Sequence, residues 1–395
     1  MLQLLICGAF IVTMSMGIRH GFGLWLQPIT QANEWDRETF SFALALQNLV
    51  WGISGVFAGM ASDRFGALKV IIVGGLLYAL GLLGMAYTTT SLGFMLTSGF
   101  LIGMAQAGTT YAIVYGVIGR NVPADRRSWA MGVVAAAGSF GQFFMVPVEN
   151  FLIDFFDWQM ALVILSASAL MIIPVAMGLR EPSFAVNAQQ GHRQSIWSAI
   201  KEAFAYPSFR LLVAGYFVCG FQVVFIGVHM PSYLKDAGMN PEVASYALAL
   251  IGLCNVFGTY TVGVLGQKYP KRYLLVGIYT LRGIAIIIFL AAPLSPFSVY
   301  VFSAVIGVLW LSTVPPTNAI IAQIFGIQHF AMLGGFVFLS HQVGSFLGVW
   351  LGGIMYDVYG SYDPVWYLSI ALSVFATAMN WPVKEHAINR TVAAT

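Results

Sequence analysis

Apolar residues run through this chain in blocks of twenty or so, separated by short polar breaks. Twelve blocks can be read, at about 2–29, 40–61, 68–87, 92–119, 129–153, 158–179, 208–233, 242–266, 273–293, 297–324, 329–355 and 364–383. A run of ~20 mostly apolar residues is the length at which an α-helix crosses the hydrocarbon of a bilayer. The pattern therefore predicts an all-α membrane protein with twelve transmembrane helices. Most connections are very short. The exception runs from Arg180 to Pro207 and holds Glu181, Asn187, Gln189, Gln190, His192, Arg193, Lys201 and Glu202. It divides the chain into residues 1–180 and 208–395, six helices each, with 181–207 as a cytoplasmic linker.

Composition agrees with this pattern. The 395 residues are 59% hydrophobic and only 8% charged, where a soluble protein carries roughly 25% charged residues. So few charges cannot clothe a protein of this size in water, so lipid is the solvent for most of its surface. The net charge of +3 is too small to suggest nucleic acid. Cys7, Cys219 and Cys254 fall inside apolar runs without metal-ligand spacing, so neither a metal nor a cofactor is expected. The first apolar run is too long for the core of a removable leader. No H-E-x-x-H, G-x-S-x-G or paired carboxylates appear, so an enzyme is not expected.

Basic residues orient the helices. With both termini on one side, that side receives Arg64, Lys69, Arg120, Arg126, Arg127, Arg180, Arg193, Lys201, Arg210, Lys268, Lys271, Arg272, Lys384 and Arg390. The other side receives Arg37 and Lys235. Basic residues concentrate in cytoplasmic loops, so both termini are expected in the cytoplasm, and a bacterial inner membrane is the expected location. The halves also repeat. Gly59-Met-Ala-Ser-Asp63-Arg64-Phe-Gly66 follows the second helix, and Gly263-Val-Leu-Gly-Gln267-Lys268-Tyr-Pro270-Lys271-Arg272 follows the eighth. Pro28 and Pro231 close the first and seventh helices at nearly the same offset. Two repeated halves with a site between them is a transporter plan.

The G-x-x-x-D-R-x-G loop of Gly59, Asp63, Arg64 and Gly66 resembles the signature of the major facilitator superfamily. Ala67-Leu68 stands where that signature continues with basic residues. Gly138, Gly141 and Pro147 in helix 5, Asp157-Trp158 opening helix 6, and Leu179-Arg-Glu-Pro182 closing it are similar to the same superfamily. Helix 1 (Gly17-Ile-Arg-His-Gly-Phe-Gly-Leu-Trp-Leu-Gln-Pro28) and helix 11 (Leu339-Ser-His-Gln-Val-Gly-Ser-Phe-Leu-Gly348) resemble its monocarboxylate-transporter and oxalate–formate antiporter branch. The resemblance implies substrate contacts from His341, Tyr111, Trp310 and Phe338. Thr259 stands where that branch has an arginine. Asp63, at the end of helix 2, is expected to accept hydrogen bonds from a neighbouring helix N-terminus. Such a latch would break and reform during transport.

Charged groups inside hydrocarbon cost at least ~2.5–3.5 kcal/mol and mark function. They are Arg19 and His20 in helix 1, His229 in helix 7, Arg282 in helix 9 and His341 in helix 11. Arg19 and His20 point about 100° apart and converge only if the helix is distorted. Arg282 is expected to bridge to helix 8 or a lipid headgroup, and His229 to be a gate or a wetted helix end. Glu149 sits near the outer end of helix 5 and reads as a wetted end. A basic membrane interior with no deep carboxylate favours anions. The expected protein is a monomeric twelve-helix carrier of one small organic anion, a monocarboxylate, working by alternating access. Symport with a proton through histidine would fit imidazole chemistry. The rival expectation is a proton-driven exporter of drugs or amphipathic metabolites.

Overall fold

The computed structural model describes residues 1–179, 195–326 and 330–388. Among the described residues helix is the dominant element and no strand occurs. Lipid demands this, because backbone groups there must bond within their own segment. Eleven helices are long and apolar enough to cross a membrane. The twelfth, Asp363–Asn380, is held below that level by Asp363, Ser369, Ser373 and Asn380.

The first span is α1 (Leu2–His20) and α2 (Phe22–Asn33), the second α3 (Arg37–Phe65) and the third α4 (Ala67–Tyr87). The fourth is α5 (Ser91–Phe94), a π-helical stretch (Met95–Leu101), α6 (Ile102–Thr109) and α7 (Tyr111–Asn121). The fifth is α8 (Ala124–Phe156), and the sixth α9 (Trp158–Leu170) with α10 (Ile172–Ala176). Within the expected linker, α11 (Ile196–Ala205) is helical; residues 180–194 lie outside the described residues. The second half holds α12 (Pro207–Asp236), α13 (Pro241–Leu265), α14 (Lys271–Ala291), α15 (Pro296–Leu309) with α16 (Val314–Phe325), α17 (Phe330–Tyr359) and α18 (Asp363–Asn380).

Packing repeats between the halves. Spans 1 and 5, 2 and 4, and 3 and 6 pair through α1 on α8, α3 on α6 and α4 on α9. Their counterparts pair the same way, α12 on α17, α13 on α15 and α14 on α18. The halves meet where α3 lies on α17, α8 on α13 and α2 on α12. A Cβ at Gly23 would stand 2.4 Å from the Gly227 carbonyl oxygen, so only glycine lets α2 approach α12 this closely. Phe57, Tyr260 and Phe297 lie on the outside, the inverse of a water-soluble fold.

At the signature turn Gly66 takes φ 93°, which glycine adopts freely. Its N–H donates to the Ser62 carbonyl at 3.0 Å. The Arg64 guanidinium lies 5.2 Å from the centre of the Phe65 ring. The side chain of Asp63 lies outside the described residues.

At the opposite end the halves are latched. Arg37, opening α3, donates from Nη1 and Nη2 to both oxygens of Asp236 on α12, at 2.6 and 2.8 Å. Nη1 also donates to the Tyr362 hydroxyl at 2.6 Å. Gln27 of α2 donates to the same Asp236 at 2.9 Å. The Asp357 carboxylate of α17 accepts the backbone N–H groups of Arg37 and Glu38, acting across the interface as the N-terminal cap that α3 lacks on its own. The Arg37 guanidinium lies 3.6 Å from the centre of the Tyr356 ring.

Arg282 differs from expectation. It turns inward, 2% exposed. Its Nε donates to the Leu309 carbonyl at 3.2 Å and its Nη1 to Gln222 Oε1 at 3.3 Å. Its Nη2 donates to the carbonyls of Leu309 and Trp310. These carbonyls end α15, where span 10 breaks and leaves acceptors without intrahelical donors. Arg282 is thus the cap that makes the break tolerable in an apolar interior.

Two outcomes follow. Arg37→Gln should open the latched end. A bidentate charged contact, partly screened by solvent, is worth roughly 1–2 kcal/mol, a shift of about 5–30-fold in population. The check is the alkylation rate of a cysteine introduced at Ser232, which is buried under the latch, in protein otherwise free of cysteine. An unchanged rate would show that the latch carries no weight. Arg282→Gln should lower thermal stability in detergent by roughly 2–5 kcal/mol, because two carbonyls lose their donors. Arg282→Lys should fall between Gln and the parent, since it keeps the charge but not the fork.

Candidate functional site

Three spans break at the centre of the bundle, and residues singled out from the sequence sit at the breaks. Span 1 is interrupted at Gly21, where Leu24 N–H bonds back to the Gly21 carbonyl at 2.8 Å in a tighter turn. Span 4 is interrupted at Thr110, which is extended, with φ −106° and ψ −167°. Span 10 is interrupted between Leu309 and Val314, just before Pro315-Pro316. Proline cannot donate to the preceding turn, so the break there is legible. Asn255 of α13 holds this break open. Its Oδ1 accepts Leu311 N–H at 3.0 Å, and its Nδ2 donates to Ser139 of α8 at 2.9 Å.

The breaks in spans 1 and 10 border a cavity of about 30 Å³, lined in part by Arg19, His20, Gln47, Asn48, Gln142 and Trp310. Arg19 and His20, the last two residues of α1, both line it. Arg19 Nη2 donates to Asn48 Oδ1 at 2.6 Å, and its guanidinium lies 4.8 Å from the centre of the Trp51 ring. Its buried Nε–H has no acceptor among the described residues. Trp310, 2% exposed, likewise has an indole N–H with no acceptor. His20 Nδ1 stands 2.6 Å from the Met16 carbonyl oxygen, so it donates there.

His341 is on α17, in the other half, yet two short paths join it to Arg19. The polar path runs from Arg19 to the Asn48 side chain. Gln342 Nε2 then donates to the Asn48 carbonyl at 3.0 Å, and Gln342 Oε1 stands 3.1 Å from His341 Nδ1. The aromatic path runs from Arg19 to Trp51, to Phe338 at 5.4 Å, and to the His341 ring, stacked on Phe338 at 5.9 Å. Tyr216 flanks His341 from α12 at 5.2 Å. Tyr111 opens α7 after the Thr110 break and lies against Gly138 and the Tyr115 ring.

The fold therefore draws Arg19, His20 and Trp310 around one cavity and links Phe338 and His341 to them. Tyr111 does not line it; it packs against Gly138 of α8 and the Tyr115 ring. Other residues fall elsewhere. Arg282 lies behind the span 10 break. His229, 1% exposed, is neither wetted nor at a helix end; its Nε2 stands 2.8 Å from the Val349 carbonyl oxygen, beneath the Arg37 latch. Arg64 and Gly66 lie at the end of α3 away from Arg37. Glu149 corrects the sequence reading most. It is 0% exposed, and Oε2 accepts the Trp25 indole N–H at 2.8 Å. Asn48, Trp51 and Gln342 carry the links, although only their presence in apolar runs could have flagged them. Arg37 was legible only as one of two basic residues on the sparse side.

A family model described as Major Facilitator Superfamily matches residues 5–325 and 212–393. The chain is 26% identical over 355 residues to monocarboxylate transporter 13 of Rattus norvegicus, covering 88% of this chain and 80% of that protein. It is 24% identical to the uncharacterized MFS-type transporter YcxA of Bacillus subtilis (strain 168), covering 87% of this chain and 85% of that one. Among solved structures, its fold matches a bacterial homolog of the human lysosomal transporter Spinster, inward-facing and unoccupied. The TM-score is 0.78, with 16% identity and 95% of both chains covered. It also matches a D-xylose-proton symporter at a TM-score of 0.75, with 15% identity and 98% of both chains covered. The chain belongs to the major facilitator superfamily: it is a twelve-helix integral membrane transporter of a small molecule, not an enzyme.

Proposed function

We propose that this transporter carries a small organic anion, in the first place a monocarboxylate, together with a proton, by alternating access between its halves. Two unpaired donors carry the reading. The Nε–H of Arg19 and the indole N–H of Trp310 are both buried, both belong to residues lining one cavity, and both lack acceptors among the described residues. A buried donor without a partner costs roughly 1–3 kcal/mol, and an anionic oxygen would satisfy both. Arg19 supplies the fork that fits a carboxylate, and His341 closes on the same ligand from the second half. Relatives over most of the length bear the name monocarboxylate transporter.

In this conformation the cavity of about 30 Å³ has room for roughly one water. A three-carbon acid needs the halves to part, which the breaks at Gly21, Thr110 and Trp310 make possible. A proton carried with the anion would make the step electroneutral. By the positive-inside bias both termini face the cytoplasm, which puts the Arg37 latch on the outer face. The rival reading, a proton-driven exporter of drugs or amphipathic metabolites, draws on the buried Glu149.

The two readings separate in a thermal-shift and uptake panel of purified protein. Lactate, pyruvate, acetate and formate are set against cationic dyes, since a bound ligand stabilises by mass action. Stabilisation and uptake with the carboxylates alone are expected; a response to dyes alone would overturn the proposal. Arg19→Gln should weaken carboxylate binding about 10–150-fold, the worth of one charge-assisted contact of roughly 1.5–3 kcal/mol, and Arg19→Lys should recover part of it. An unchanged Kd in the Gln variant removes Arg19 from the site. His341→Gln should weaken binding about 2–10-fold, as for a roughly 0.5–1.5 kcal/mol hydrogen bond. Unchanged affinity there would leave His341 a packing residue.

A further inference from the structure

Glu149 is the one fully buried acid among the described residues. Its Oε2 accepts from Trp25 Nε1 at 2.8 Å, while Oε1 has no partner among the described residues. No cation pairs with it there. An ionised carboxylate with a single donor inside a membrane bundle is an expensive charge, whereas a carboxylic acid in the same place is not. Its position adds a second observation. The carboxyl group rests on the break in the first span: a Cβ on Gly21 would stand 1.9 Å from Glu149 Oε2. Trp25, its donor, lies one turn beyond the break, and Arg19 lies two residues before it.

The surroundings hold few competitors. Tyr78, on α4, is within electrostatic range of both Glu149 and Arg19, and its hydroxyl donates to the Ser15 carbonyl at 2.9 Å. From the first span the ionisable groups are Arg19 and His20; α9 contributes none. On the other side of α8 a groove of about 320 Å³ is lined by Asn150, Asp154, Glu242 and Tyr246, among others. Asn150 donates to Asp154 at 2.9 Å. The groove thus brings exposed acids to the residue next to Glu149, and acidic groups raise the local concentration of cations, protons included.

We propose that Glu149 is the site of the coupled proton, and that the proton controls the break in the first span. With the proton on, the neutral carboxyl group lets Gly21 and Trp25 pack against α8 as seen. With the proton released, the carboxylate requires water or Arg19, and the break must open to supply either. A bound anion engages the Arg19 guanidinium, so its departure makes that charge available at the moment the acid needs a counter-charge. This deepens the anion–proton reading by giving the proton a residue, and that residue is not a histidine.

The test uses full-length protein in proteoliposomes with lactate as probe. Glu149→Gln should lose accumulation driven by a pH gradient by about tenfold or more, a loss that one decisive group can cause. It should keep lactate counterflow and binding within about twofold, which is ordinary variation between neutral isosteres. His341→Gln should do the opposite, weakening binding while residual uptake still follows the gradient. Independently of any substrate, infrared difference spectra of the parent, titrated from about pH 5 to 8 across the physiological range, should contain a protonated-carboxyl band that the Gln variant lacks. Gradient-driven accumulation equal to the parent in Glu149→Gln, or parent spectra with no such band, overturns the inference. If the parent moves no monocarboxylate, the proposed substrate fails, and the infrared titration alone decides Glu149.

Discussion

The structure depends on how it holds ionisable groups in the membrane without a countercharge. Arg19, Arg282 and Glu149 all lie within membrane spans, and none meets an opposite charge at hydrogen-bond distance among the described residues. Each is held by neutral dipoles instead: an amide oxygen and an indole face for Arg19, backbone carbonyls for Arg282, an indole N–H for Glu149. A salt bridge in such a medium would be hard to break. Neutral partners keep buried ionisable groups in place yet leave them free to exchange partners, as a binding site must.

Helix breaks supply much of this coordination. A continuous helix spends its carbonyls on itself, so Arg282 finds its backbone acceptors where span 10 stops. Its guanidinium then stabilises the interruption that created its site. Asn255 performs the matching task for the orphan N–H of Leu311. At the break after α1, two consecutive side chains, Arg19 and His20, both line one cavity although they leave the helix about 100° apart. Irregular backbone at membrane depth is tolerated where protein or a cavity lines it, and all three breaks face inward.

The two ends of the bundle are built differently. Near Gly66 the turn uses local bonds within α3. Near Arg37, one guanidinium joins α3 to Asp236 and Tyr362, and Asp357 caps α3 from across the interface. These contacts combine charge, bidentate geometry and shared partners, and are worth more together than isolated surface pairs. Close glycine contacts between α2 and α12 complete the seal.

Much of this protein is legible in one dimension. Runs of apolar residues specify helices, because lipid forbids other spanning structures, and the repeated Gly59 and Gly263 segments announce two halves. Arg19, His20 and His341 stand out because a charge in an apolar run has few innocent explanations. Proline and glycine at the breaks could also be read. The tertiary structure alone decided which of these residues meet. Nothing in the spacing of Arg19 and His341, far apart in the chain, says that Asn48, Gln342, Trp51 and Phe338 join them. Distance from the end of an apolar run made Glu149 look wetted, but its exposure depends on what packs over it, and Trp25 and Gly21 come from another span. Arg282 looked outward for the same reason. A sequence records how far a residue lies along its own helix; which way it turns, and toward whom, is set by helix crossings that involve distant residues.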